Sequence, residues 1–176
     1  TSGSSGTPKA AAHNFFCHRT NAEASAKAIP LKSGDQWLLS LPLFHIGGLA
    51  ILFRCLLSGA AVVFPDNGRE LAITLIRRPI SHLSLVNTQL YRLLGEPVDG
   101  SGALFDLGHS SVKVILLGGG YVSSDLVKQC QQQGVTVLTS YGMTEMSSQI
   151  CTGEPVFTGH GGVSSGRPLS SSEVYI

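Results

Sequence analysis

Tyr141-Gly142-Met143-Thr144-Glu145 brings an aromatic ring, a hydroxyl and a carboxylate within five residues, directly after Ser140. That set suits a nucleotide: the ring stacks on a base, the threonine donates to a phosphate, and the carboxylate holds the divalent cation that phosphates need for neutralisation. A turn with a capping threonine and a solvated glutamate has the same composition. At the start of the chain, Thr1, Ser2, Gly3, Ser4, Ser5, Gly6 and Thr7 lead through Pro8 to Lys9. The glycines permit left-handed or crowded backbone, and the hydroxyls and ammonium supply donors, so this loop can wrap phosphate oxygens. It is not a Walker A loop, which ends in Gly-Lys-Ser/Thr. A flexible linker or an expression scar shares its composition.

Two further side chains carry chemistry. His45, in Leu41-Pro42-Leu43-Phe44-His45, stands beside a predicted strand end, as a structural imidazole or as a catalytic one. Arg54 follows on a largely apolar helix, where a buried guanidinium requires an anionic or carbonyl partner. It either snorkels or clamps a substrate carboxylate. Cys17, Cys55, Cys130 and Cys151 are widely spaced and form no C-x-x-C pair, so they read as reduced, mostly buried thiols and not as zinc ligands or a disulfide framework.

The elements that must position these groups are bounded by composition. The 176 residues carry a formal charge of +1, with no single-sign field for nucleic acid or anionic lipid. With 43% hydrophobic and 13% charged residues, the chain folds around a large apolar core and leaves some faces uncovered. The apolar stretch 43–64 is excluded as a membrane span, because Arg54 at its middle costs about 2.5–3.5 kcal/mol there and Gly47, Gly48 and Gly59 interrupt it. The opening Thr1-Ser2-Gly3 shows no signal-peptide succession; the expectation is a cytoplasmic piece of a longer protein.

Helical composition from near Asn14 runs out before Pro30. A buried strand over 37–41 stops at Pro42, followed by a helix over 44–57, a turn at Ser58-Gly59 and a strand over 60–64. Helices follow over 69–78, 88–94 and from Ser123 or Ser124 to Gly134, with strands over 82–86, 113–117 and 135–138. Asp99-Gly100-Ser101-Gly102 reads as a polar loop, 139–142 as a loop, and 173–176 as the start of a strand. This alternation predicts an α/β fold, a layered sheet flanked by helices, with ligands bound at the strand ends.

In order along the chain, these segments resemble the adenylate-forming superfamily of acyl- and aryl-CoA ligases, luciferases and nonribosomal adenylation domains. TSGSSGTPK is similar to that family's phosphate loop and residues 41–48 to its Pro-Leu-Phe-His segment. Gly118-Gly119-Gly120 is similar to its adenine-side glycine turn, Tyr141 to Glu145 to its Tyr-Gly-x-Thr-Glu signature, and Gly166-Arg167-Pro168 to a later turn. Wording around these motifs, including Asp35 to His45 and Ser84 to Leu94, is most similar to the o-succinylbenzoate-CoA ligase branch of menaquinone and phylloquinone synthesis. Asn87 stands where that pattern expects proline, and Gly120 where alanine is commoner.

The resemblance implies that 1–176 is part of an AMP-binding (adenylation) domain, the core of the large N-terminal domain. The N-terminal subdomain, the ribose-binding aspartate, the hinge and the C-terminal lid with its lysine are expected outside it. It implies ATP-dependent conversion of an aromatic dicarboxylic acid to its acyl adenylate and then its CoA thioester, with ATP, Mg²⁺ and coenzyme A as participants. Thr1, Ser2, Gly3, Ser4, Ser5, Gly6, Thr7 and Lys9 would cradle the outer phosphates, Thr144 the α-phosphate, and Glu145 the metal. Gly118, Gly119, Gly120, Ser140, Tyr141 and Gly142 would flank the adenine; His45, Arg54 and Gln89 would meet the acid. A possible homo-oligomer of the full-length enzyme also follows. Another acyl, aryl or amino-acid activating enzyme, or a nucleotide-binding fragment without turnover, stands as the alternative.

Overall fold

The computed structural model describes residues 6, 7, 9–65, 71–98, 102–159 and 161–175. The expected helix start at Arg69, the loop residues Asp99, Gly100 and Ser101, and Ile176 lie outside them. Helix α1 spans Phe15–Ala26, opened by Asn14, whose side-chain oxygen accepts the Cys17 N–H at 3.0 Å. Strand β1 (Gln36–Leu38) leads to α2 (Ile46–Ser58), which ends on Gly59 in the left-handed conformation that only glycine adopts without strain. Then follow β2 (Ala61–Val63), α3 (Leu71–Arg77), β3 (His82–Leu85), α4 (Asn87–Gly95), β4 (Val114–Leu117) and α5 (Ser124–Gln132). The chain closes with β5 (Thr136–Met143), β6 (Ser148–Gly153) and β7 (Arg167–Pro168).

The seven strands form one sheet in the order β2-β1-β3-β4-β5-β6-β7. The first five pair in parallel, and β6 and β7 add antiparallel at one edge. Side chains alternate across this sheet, so neighbouring residues enter different cores. Leu38, Leu83, Leu85, Ile115, Leu117 and Val137 join the layer with α3, α4 and α5. Trp37, Leu39, Val114, Leu116 and Leu138 meet Ile51 and Cys55 of α2 on the other face. Burial on both faces explains why the parallel strands read as continuous apolar runs.

Most expected elements form, with shifted ends. The segment 139–142 is strand and not loop: β5 runs on to Met143 because its second half pairs with β6. Residues 173–175 form no strand here. Among the described residues no helix is long and apolar enough to cross a membrane. The thiols divide evenly, Cys55 and Cys130 being buried and Cys17 and Cys151 half-buried, all free. Apolar surface does remain uncovered, Phe44 being 85% exposed and Leu56 70%. Asn87, in the place of the expected proline, has a use: its side-chain oxygen accepts the Ser123 N–H at 3.0 Å, tying the start of α4 to the start of α5.

Candidate functional site

A cavity of about 150 Å³ opens at the carboxyl ends of β3, β4 and β5, the position where open α/β sheets bind ligands. Ser84 lines it from β3, Val86 from the turn before α4, Gly118 and Gly119 from the turn after β4, Ser140 and Gly142 from β5, Gly47 and Arg54 from α2, and Ser148 and Gln149 from β6. Cavities of roughly this size hold a benzene ring. Two glycines let the strands approach closely. A Cβ on Gly118 would come within 2.5 Å of Ser140 Oγ, and one on Gly142 would collide with the Ser148 carbonyl.

Arg54 dominates the electrostatics. It belongs to the buried face of α2 with Gly48, Ala50, Ile51 and Cys55, and is 3% exposed. Its Nε donates to Ser25 Oγ at 3.2 Å, and its Nη2 donates to Gln149 Oε1 at 2.7 Å and, more weakly, to Ser148 Oγ at 3.4 Å. The guanidinium lies 5.6 Å from the centre of the Trp37 ring. No described carboxylate pairs with it. Burial pushes the guanidinium down to about 10, and it stays cationic at neutral pH. Neighbouring Cys55 is pushed by burial up to about 11 and stays a neutral thiol. Arg54 Nη1, Ser84 Oγ and Gln149 Nε2 are all buried without a hydrogen-bond partner among the described residues, and all three residues line the cavity. Buried polar atoms are almost always paired, so three orphans around one cavity mark a place built for polar ligand atoms.

Beyond the cavity, the tip of the β5–β6 hairpin carries Thr144 and Glu145 in a single 3₁₀ turn, Thr144 half-buried and Glu145 exposed. Tyr141 is 46% exposed, and Gly120 is open to solvent with nothing near its missing Cβ. His45 caps α2 with an extended backbone, exposed and next to Ile46 and Gly47 of the cavity wall. Arg54, Gly118, Gly119, Ser140 and Gly142 are therefore brought together, with His45, Gly120, Tyr141, Thr144 and Glu145 on the segments that adjoin them.

Other expected site residues stand elsewhere. Thr1, Ser2, Gly3, Ser4 and Ser5, with Pro8, lie outside the described residues; Gly6, Thr7 and Lys9 are exposed and line none of this cavity. Gln89 is committed to structure. Its Oε1 accepts the Val86 N–H at 3.0 Å, its Nε2 donates to the Ser40 carbonyl at 3.0 Å, and it lines a separate cavity of about 340 Å³. Gln89 does not line the smaller cavity. Ser84, Ser148 and Gln149 went unanticipated. Their signal was a hydroxyl within the apolar strand 82–86 and the polar run Ser147-Ser148-Gln149 just after Glu145.

A mostly parallel sheet with unpartnered polar side-chain atoms gathered at its strand ends defines an α/β domain with a polar binding cavity. The family model for AMP-binding enzymes matches residues 1–176, and the chain belongs to that family. It is 38% identical over 176 residues to the 2-succinylbenzoate–CoA ligase of Escherichia coli (strain K12), covering 100% of this chain and 35% of that protein. It is 36% identical over 178 residues to the ligase of the same name from Bacillus subtilis (strain 168), again covering 100% and 35%. The chain spans about a third of the length of these relatives. Among solved structures it resembles wild-type E. coli MenE with a bound m-phenylether-linked analogue of OSB-AMS, with a TM-score of 0.83, 36% identity, and 98% of this chain and 35% of that one covered. It also resembles the o-succinylbenzoate coenzyme A synthetase of B. subtilis in complex with ATP and magnesium ion, with a TM-score of 0.79, 36% identity and coverages of 97% and 35%.

Proposed function

We propose that the chain carries the acid- and nucleotide-binding core of an o-succinylbenzoate–CoA ligase of quinone biosynthesis. An oxygen of the acid's carboxylate attacks the α-phosphorus of ATP, pyrophosphate leaves, and the thiol of coenzyme A then displaces AMP to give the thioester and release the thiol proton. Chemistry of this kind runs on positioning and charge neutralisation more than on a protein nucleophile.

The observation that carries the acid is Arg54: a buried cation with no described carboxylate beside it and an unpartnered Nη1, at a ring-sized cavity. It pairs with the second carboxylate while the aromatic ring fills the apolar wall of Leu41, Ile46 and Leu116. His45, at the mouth, orients the reacting carboxylate. The open Gly118 to Gly120 turn and the exposed Tyr141 flank the adenine, and Thr144 meets the α-phosphate. Magnesium, when bound, neutralises phosphate charge. Glu145 would hold it, which fits an ion that needs few protein carboxylates because phosphates and waters complete its shell. Residues 1–9 serve the outer phosphates, and the remainder of the adenylation domain and a mobile lid complete the enzyme. It works in the cytoplasm, where four free thiols are kept reduced, on small molecules and not nucleic acid, with the intact enzyme able to self-associate.

Calorimetric titration with two non-hydrolysable acyl-adenylate mimics tests this. The o-succinylbenzoyl mimic is expected to bind at least about tenfold tighter than the benzoyl one, a difference of about 1.4 kcal/mol. Equal binding removes the named acid. No binding to a chain that circular dichroism shows to be folded removes the site.

A further inference from the structure

The turn that carries Thr144 and Glu145 is held from outside its own hairpin. Two consecutive non-glycine residues at its end, Ser147 (φ 57°) and Ser148 (φ 116°), have positive φ, and both are buried. Such conformations persist only where the surroundings over-determine them. Besides the β5 ladder and Arg54, which reaches Ser148 Oγ, the surroundings include one side chain of α1. Asn21, 6% exposed in the middle of that helix, donates from Nδ2 to the Met146 carbonyl at 3.2 Å and to the Gln149 carbonyl at 2.7 Å. These two carbonyls bracket the strained pair.

Asparagine is a poor helix former, and a buried amide inside a helix calls for a reason of its own. Both of its donor bonds leave the helix for partners 125 and 128 positions downstream. One turn along α1, Ser25 accepts from Arg54 Nε, and Arg54 Nη2 donates to the side chain of that same Gln149. Asn21, Gln149, Arg54 and Ser25 thus close a ring of hydrogen bonds through α1, α2 and β6. The ring fixes the turn relative to the acid pocket.

We propose that Asn21 is a positioning residue for adenylate formation: its amide holds the 144–148 turn so that Thr144 and Glu145 face the phosphates. This rests on the roles given above to Thr144 and Glu145. Its hydrogen bonds go to the Met146 and Gln149 carbonyls and not to Thr144 or Glu145, so the effect passes through the backbone of the turn.

The test uses Asn21→Asp, which keeps the size and replaces both donor hydrogens by lone pairs facing two carbonyls. Asn21→Ala, a change that favours α1 as a helix, serves where the first variant does not fold. Amide exchange over 143–150 should quicken at least about tenfold, with 82–85 and 114–117 unchanged, since local opening there is separable from global unfolding. Affinity for ATP with magnesium should fall at least about tenfold while that for o-succinylbenzoate stays within about threefold. Unchanged exchange over 143–150, or equal quickening throughout the sheet, overturns the proposal, as does equal loss of both ligands. A parent chain that binds neither ligand overturns the functional reading instead, and the exchange pattern alone then decides the role of Asn21.

Discussion

Arg54→Met leaves an unbranched, polarisable side chain in the core beside α2 while removing the charge and every donor. In the folded chain burial holds the guanidinium near 10 against an ordinary 12.5. At about 1.36 kcal/mol per pH unit, that gap corresponds to about 3 kcal/mol of unfavourable desolvation. A carboxylate set against Nη1 relieves this cost, and charge-assisted hydrogen bonds independently come to about 1.5–3 kcal/mol. The two routes share a ceiling, so the variant should bind o-succinylbenzoate about 10- to 150-fold more weakly. Benzoate lacks the second carboxylate, and on the proposed reading ATP with magnesium would sit beyond the pocket; both should bind as they do to the parent. Calorimetry on two proteins and two acids isolates the coupling between Arg54 and that carboxylate. Loss of the bonds to Ser25, Ser148 and Gln149 opposes the relief of burying no charge, so the melting midpoint should move by only a few degrees. The cation is the binding form and loses its proton through about 10. Acid affinity of the parent should therefore be level from about pH 7 to 9 and fall above 10, with no such fall in the variant. Equal weakening of both acids, or a matching loss of ATP, would refute the pairing.

Gly118→Ala places a Cβ within 2.5 Å of Ser140 Oγ and 2.8 Å of its carbonyl; it should lower stability by about 1–3 kcal/mol and abolish adenylate-mimic binding, read by thermal melts and titration. Gly120→Ala meets nothing within 4 Å and should leave the melting midpoint unchanged. Burial holds the imidazole of His82 below 6.5, opposed by nearby Asp35, so the unfolded chain takes up that proton first as pH falls. Stability from this group is complete above about 6.5 and is lost below it; urea unfolding at about pH 8 and 5 should show the drop, and His82→Gln should shrink it. Glu145→Gln should weaken ATP binding about tenfold or more in magnesium and little without it, as calorimetry in each buffer would show.

Much of this was legible in the chain because parallel strands buried on both faces announce themselves as apolar runs between helices. Arg54 stood out for a similar reason, a charge in the middle of the most apolar helix. The β5–β6 pairing did not show, because Ser148–Gly153 is mostly polar, and its strand character comes from the partner it meets across a bulge at Tyr141 and Gly142. The bonds of the Gln89 amide to Val86 and Ser40 are likewise invisible in the sequence, since they depend on how α4 meets β1 and the segment after it. Gln149 escaped notice for the same reason: only the fold brings it against a helix 95 positions away.

The long reach of the Asn21 bonds also sets an order of events as the chain folds. Parallel neighbours such as β3 and β4 are about thirty positions apart in register, whereas the tie from α1 to Gln149 closes a span of 128. Closing larger loops costs more chain entropy, and contacts of high sequence separation tend to form late. The sheet can therefore assemble while the 144–148 turn is still unfixed. A nascent or partly unfolded molecule would carry an intact scaffold with this turn unset, and the polar groups around the cavity would reach their final places in the last step.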